Sequence, residues 1–153
     1  MKIPAAGEDQ KFTVFGAVDS ASGQVIWQCG ARKGEEAFAT FLDHLAEQLP
    51  AVDEPVVVVL ANVGYHKSRA LREGWQRHAA RFQPFFLPAY APQLNLIERL
   101  WRSLKAKLAN HRWWNDLSRL EQATDTLLSQ LTVHFHEDEG PAFLLVHNLC
   151  ASA

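Results

Sequence analysis

Apolar and polar residues follow two periods along this chain, and each change of period marks an element. In residues 11–19 (KFTVFGAVD), Phe12, Val14 and Val18 fall on one side of an extended strand and Phe15 and Ala17 on the other. Residues 24–31 (QVIWQCGA) form a second strand, and Ser20-Ala21-Ser22-Gly23 between them has the turn chemistry of a hairpin. Apolar residues on both sides of a strand predict a sheet covered on both faces. From Glu35 to Leu49 the period becomes helical: Phe38, Phe41, Leu42, Leu45 and Leu49 make one stripe, which Pro50 stops. The run Val56–Leu60 (VVVVL) is short, continuous and β-branched, as a buried central strand requires. A helix follows from about Ser68 to Ala80, with Leu71, Trp75 and Ala79 inward. Residues 82–87 make another strand, and Pro84 predicts for it an edge position or a bulge.

Two more helices complete the pattern. One runs from Asn95 to about Asn110, with Ile97, Leu100, Trp101, Leu104 and Leu108 on one face. The other runs from about Asp116 to His136, with Leu117, Leu120, Leu127, Leu128, Leu131 and Phe135 aligned. Gly140-Pro141 ends it, and the apolar tail Phe143–Leu149 is expected to dock back onto the core. The order β-β-α-β-α-β-α-α predicts an α/β fold, a mixed sheet with helices on both faces. At 153 residues and 48% apolar, the chain suits one domain, 1–153, with a sizeable core.

The net charge of −2 counts against a strong, self-sufficient nucleic-acid binder, so any phosphate contact must come from local patches. Cys29 and Cys150 have neither paired nor metal-ligand spacing, which predicts reduced thiols. No charged start followed by an apolar run opens the chain, and no apolar stretch reaches the roughly 18 residues that span a bilayer. A cytoplasmic protein without membrane contact is expected.

Two blocks carry candidate chemistry. In Pro84–Trp101, PFFLPAYAPQLNLIERLW, a strand runs through a Pro-Tyr-Pro loop into a helix with Glu98 in its first turn. In Val56–Ser68, VVVVLANVGYHKS, a buried strand ends beside Asn62, His66 and Lys67. Sites in α/β sheets collect at such carboxyl ends. Glu98 also lies three residues after Asn95, the spacing of a capping box, and spacing by itself favours that structural role. Lys67, Arg69 and Arg72 begin one helix with positive charge, and Arg99, Arg102, Lys105, Lys107 and Arg112 line another. A charge run is ordinarily a solvated face. His134 and His136 are two apart and diverge on a helix, and Trp113-Trp114 suit an inter-helix corner better than base stacking.

Together the blocks resemble the catalytic core of the DDE transposases, in the mariner-like and bacterial insertion-sequence group. The last catalytic block of that family reads L-P-P-Y-S-P-x-L-N-P-I-E-x-x-W. This chain keeps Leu87, Pro88, Tyr90, Pro92, Leu94, Asn95, Ile97, Glu98 and Trp101, and departs at Ala89, Ala91 and Leu96. The other block matches D-N-x-x-x-H-K, with Ala61 where the family has its second catalytic Asp.

The resemblance implies an RNase H-like fold lacking the first strand, and no helix-turn-helix DNA-reading region. It implies Glu98 as the third carboxylate and metal ligand, Ala61 at the second catalytic position, and Asn62, His66 and Asn95 in support. It further implies magnesium or manganese as cofactor, and mobile-element DNA as partner, held by Lys67, Arg69, Arg102 and Lys105. A homodimer, or a partner chain supplying the missing N-terminal part, would complete the assembly. The family's first Asp has no convincing substitute in Asp9 or in Asp19, which reads as turn chemistry. The implied reaction is two-metal strand cleavage and transfer on DNA, with two ions about 4 Å apart. A methyl group at position 61 cannot bind magnesium, so the chain is expected to be inactive as written. The alternative is a non-catalytic remnant that binds DNA or protein.

Overall fold

Alternation in the first strand decides how the two faces of the sheet are covered. The computed structural model describes residues 11–30, 34–60, 68–88, 97–110, 117–133 and 143–152. β1 (Lys11–Asp19) and β2 (Val25–Gly30) pair antiparallel, from Thr13↔Gly30 to Val18↔Val25. Asp19 builds the turn between them, as expected. Its carboxylate accepts from Ala21 N (3.0 Å) and Ser22 Oγ (2.6 Å), and its carbonyl accepts from Gly23 N. Gly23 has φ 71°, the left-handed conformation that glycine adopts without strain.

Helices α1 (Glu35–Gln48) and α2 (Arg69–Arg77) cover the face that carries Phe15 and Ala17. Phe15, Phe38 and Phe41 form an aromatic cluster there with ring centroids 5.8–6.3 Å apart. Ser68 caps α2, its hydroxyl accepting from Leu71 N at 3.2 Å. Arg81 crosses back to the end of α1 and donates to the carbonyls of Ala46, Leu49 and Pro50. A cation there meets the unpaired carbonyls and negative end of the helix. Because α2 stops at Arg77, Ala79 is exposed rather than inward, and His78 is half-buried instead.

His78 Nε2 lies 2.6 Å from Asp43 Oδ1, and Arg77 Nη2 donates to both oxygens of Asp43 at 3.2 Å. The His78 bond, and after it the Arg77 guanidinium, hold the Asp43 carboxyl below its ordinary value against partial burial. A lowered carboxyl contributes stability that is present above the unfolded-state value and lost as pH falls through the folded-state value. Asp43→Asn is therefore expected to lower the melting temperature at pH 6 by an amount worth under about 1 kcal/mol, since the pair is solvent-screened. The gap between variant and wild type should close as melts are repeated below about pH 4. A gap that stays constant down to pH 2 would show that the carboxylate charge contributes nothing.

Helices α3 (Ile97–Asn110) and α4 (Leu117–Ser129) cover the opposite face, against Val14 and Val18. α4 ends at Ser129, short of the expected His136. Beyond it Val133 N donates to Gly23 O, and Thr132 bridges Gln24, so the chain is drawn onto the hairpin turn instead of continuing as helix.

β3 (Val56–Leu60) and β4 (Phe82–Phe86) pair parallel. β4 is the outer strand, which accommodates Pro84 opposite Val58 as the edge reading required. The apolar tail, expected to dock back onto the core, joins the sheet as a strand. It forms β5 (Phe143–Ser152) and lies in the middle of the sheet, whose order is β2-β1-β5-β3-β4. β5 runs antiparallel to β1, from Lys11↔Ser152 to Asp19↔Leu144, and parallel to β3, from Val57↔Phe143 to Leu60↔Val146. The place beside β3, where the resemblance sets a strand ahead of the hairpin, is thus filled by β5. A strand with neighbours on both sides satisfies its whole backbone, whereas a docked tail would leave buried amides unpaired.

Candidate active site

The carboxyl ends of β3 and β4 are tied together, with Leu87 N donating to Leu60 O at 2.8 Å. Ala61, Asn62, His66, Lys67 and Asn95 lie outside the described residues. The separation of Ala61 from Glu98 lies outside them too. Asp9, the Trp113-Trp114 pair and the His134–His136 segment do likewise.

α3 carries the described part of the site. Ile97, Trp101, Leu104 and Leu108 are buried along one stripe. Glu98 is half-buried in the first turn, where a carboxylate meets the positive end of the helix. The indole of Trp101 lies on the backbone of Gly16 in β1. A Cβ at Gly16 would collide with Cη2 and Cζ2 of that ring. Absence of a side chain at residue 16 therefore lets α3 settle close to the sheet and sets where Glu98 stands. The indole Nε1 is buried with no hydrogen-bond partner among the described residues. The apolar stripe predicted that Trp101 would be inward, but nothing local pointed to Gly16 as its seat.

Arg102 is exposed and Lys105 half-buried on the same helix, one and two turns beyond Glu98. Arg69 is exposed and paired with Glu73, Nε to Oε1 at 2.7 Å. Such a pair one helical turn apart in water is worth only a few tenths of a kcal/mol, so it leaves Arg69 available to a stronger anion.

At the opposite edge of the sheet, an open concavity of about 700 Å³ wraps β2, lined among others by Gln24, Trp27, His44, Gln48 and Asp125. Asp125 accepts from Trp27 Nε1 at 2.7 Å. Burial first, then the charges of Asp125 and Glu121, push the Cys29 thiol up to about 12, so it stays protonated and is a poor nucleophile. No group of three potential His, Cys, Asp or Glu ligands stands together among the described residues. No helix among them is long and apolar enough to cross a membrane.

The chain resembles known proteins at three levels. The family model described as DDE superfamily endonuclease matches residues 1–121. The insertion element IS630 uncharacterized 39 kDa protein of Shigella sonnei is 25% identical over 130 residues, 82% of this chain. This chain spans only 37% of that relative's length. The crystal structure of the catalytic core domain of BIV integrase superposes with a TM-score of 0.54 at 18% identity, covering 84% of this chain and 77% of that one. The last likeness concerns the fold alone, which is RNase H-like with a mixed sheet between two helical layers.

Proposed function

We propose, from the premise that this chain belongs to the DDE superfamily endonucleases, that it is a transposase-type core whose carboxylate set is incomplete. The observation that carries the reading is that the family match takes in both motif blocks, with Glu98 kept and alanine at position 61. In this reading Glu98 is the remaining metal-binding carboxylate, and Asn62, His66 and Asn95 shape its surroundings. Lys67, Arg69, Arg102 and Lys105 track the phosphates of mobile-element DNA, a sequence-independent contact that fixes the DNA without reading it.

The residues present do not fit the pair of magnesium ions that the family's chemistry uses. Magnesium takes a near-octahedral set of oxygens, and a methyl group stands where one carboxylate is needed. A single carboxylate leaves each ion of a bridged pair short of ligands, so strand cleavage by the isolated chain is not expected. Ala61 also supports a second reading, a non-catalytic DNA- or protein-binding core, because losing the aspartate removes repulsion without harming the strand.

Supercoiled plasmid and labelled duplex incubated with the purified chain, with magnesium or manganese, should remain intact. Metal-dependent nicking that vanishes in Glu98→Gln would overturn the incomplete-site reading. Salt-sensitive duplex binding, weakened in an Arg102→Ala/Lys105→Ala variant, is the expected retained property. Binding that ignores both salt and those residues would remove DNA from the proposal.

A further inference from the structure

The two edges of the sheet differ in whether they accept another strand. Asp19 N donates to Gln24 O across the hairpin, and peptide groups alternate in direction along a strand. Ile26 and Gln28 therefore turn their backbone groups to β1, and Trp27 and Cys29 turn theirs outward. The Gln24–Thr132 bridge occupies the start of this edge, and no described strand lies beside Trp27 and Cys29 there. At the other edge, Leu87 N donates to Leu60 O, so the same alternation points the Pro84 nitrogen outward, where it has no hydrogen to offer an incoming strand. β4 is thus blunted by its proline, whereas β2 (VIWQCG) carries no proline, lysine or arginine to protect it.

The concavity of about 700 Å³ lies along this unprotected edge. α1 supplies His44 and Gln48 to it and α4 supplies Asp125, Thr126 and Ser129, so the edge is recessed between two helices. A second copy would bring its own α1 and α4, and helices about 10 Å across would collide before two β2 strands came within about 4.8 Å. A single extended segment meets no such obstacle. The described lining holds the Asp125 carboxylate and no lysine or arginine. Trp27 Nε1 and Cys29 Sγ both donate to Asp125 Oδ1, at 2.7 and 3.6 Å, which leaves Oδ2 to an incoming donor. Glu121, one helical turn earlier on α4, adds a second negative charge whose field reaches Cys29.

We propose that the outer edge of β2 receives an extended segment of another polypeptide as an added strand, with a lysine or arginine of that segment set against Asp125. In strand addition of this kind main-chain hydrogen bonds supply affinity, and side chains at alternate positions supply selectivity. The negative groove repels phosphate, so the partner is a protein and not a nucleic acid. The inference is independent of Glu98 and of the incomplete carboxylate set.

The test uses the full chain and short synthetic peptides of alternating threonine and valine with a central arginine, read by amide NMR and hydrogen exchange. The arginine peptide should shift the Trp27 and Cys29 amides and slow their exchange, while leaving those of β4 unchanged. Replacing its arginine with glutamate should weaken binding roughly tenfold, the scale of one hydrogen bond to a charged group. Asp125→Asn keeps an oxygen for the Trp27 indole and should bind the two peptides equally. Methylating the peptide's backbone nitrogens should abolish binding, a result that does not depend on the folding of any variant.

Equal binding of both peptides to the wild type, binding that survives methylation, or no protection of the β2 edge by the arginine peptide would each overturn the proposal. Protection of the same amides by duplex DNA, or by self-association of the peptide-free chain, would overturn it in favour of those occupants.

Discussion

Gly16→Ala is expected to lower the melting temperature by several degrees, although it adds a single methyl group. The new Cβ would occupy space held by Cη2 and Cζ2 of Trp101, whose side chain is buried between α3 and the sheet. Overpacking of this kind costs about 1–3 kcal/mol, which for a domain of this size lowers the melting point by a few degrees per kcal/mol. The neighbours cannot yield cheaply, because Gly16 is paired on one side with Trp27 and on the other with His147. Trp101→Phe removes the outer ring and should accept the methyl. The double variant Gly16→Ala/Trp101→Phe should therefore be more stable than the sum of the single costs predicts, by a coupling of about 0.5–3 kcal/mol. Denaturant melts of the four proteins measure it. Strict additivity would mean that Trp101 does not set the height of α3 over β1. The same displacement should move Glu98, so Gly16→Ala should also disturb any ion bound there.

Ala61→Asp is the second large effect, and its sign depends on the ion. On the proposed reading, which sets position 61 beside Glu98, the metal-free variant should be less stable than wild type, because two neighbouring carboxylates resist ionising together. Manganese should reverse the loss, since an ion that binds only the folded state at a hundredfold excess over its dissociation constant stabilises by about 2.7 kcal/mol. Adding Glu98→Gln to Ala61→Asp should abolish that gain. Thermal melts of wild type, Ala61→Asp and the double variant, with and without manganese, test both directions. If manganese stabilises Ala61→Asp no more than wild type, Glu98 is a helix-terminal residue and not an inherited ligand.

Local pattern made much of the fold legible. The hairpin with its Asp19 turn, the VVVVL strand, the α1 and α3 stripes and the edge placement of the Pro84 strand follow from the spacing of apolar residues and turn formers. Element ends were less legible. α4 stops earlier than its stripe suggests as Val133 N bonds to Gly23 O, whereas α2 ends in a local turn in which His78 N donates to Trp75 O and Ala79 N to Gln76 O. The site was legible as two motif blocks and a family resemblance. The strand Phe143–Ser152 was hidden because its apolar run Phe143–Val146 shows no polar alternation, and its place between β1 and β3 depends on pairing with distant segments.

By itself the sequence determined most of the segments that extend or coil and which helix faces turn inward, and it set Glu98 and Ala61 in the two blocks that resemble the family's motifs. Those properties are written in residues a few positions apart, where side-chain size, φ preference and hydrogen-bonding capacity act directly. Tertiary structure alone decided that β5 inserts between β1 and β3, that Trp101 rests on Gly16, and that β5 pairs His147 with Gly16. A strand's own residues specify its faces but not its neighbours. Pairing Lys11 with Ser152 depends on closing a loop of nearly the whole chain, and only the completed packing of both helical layers offsets that entropy.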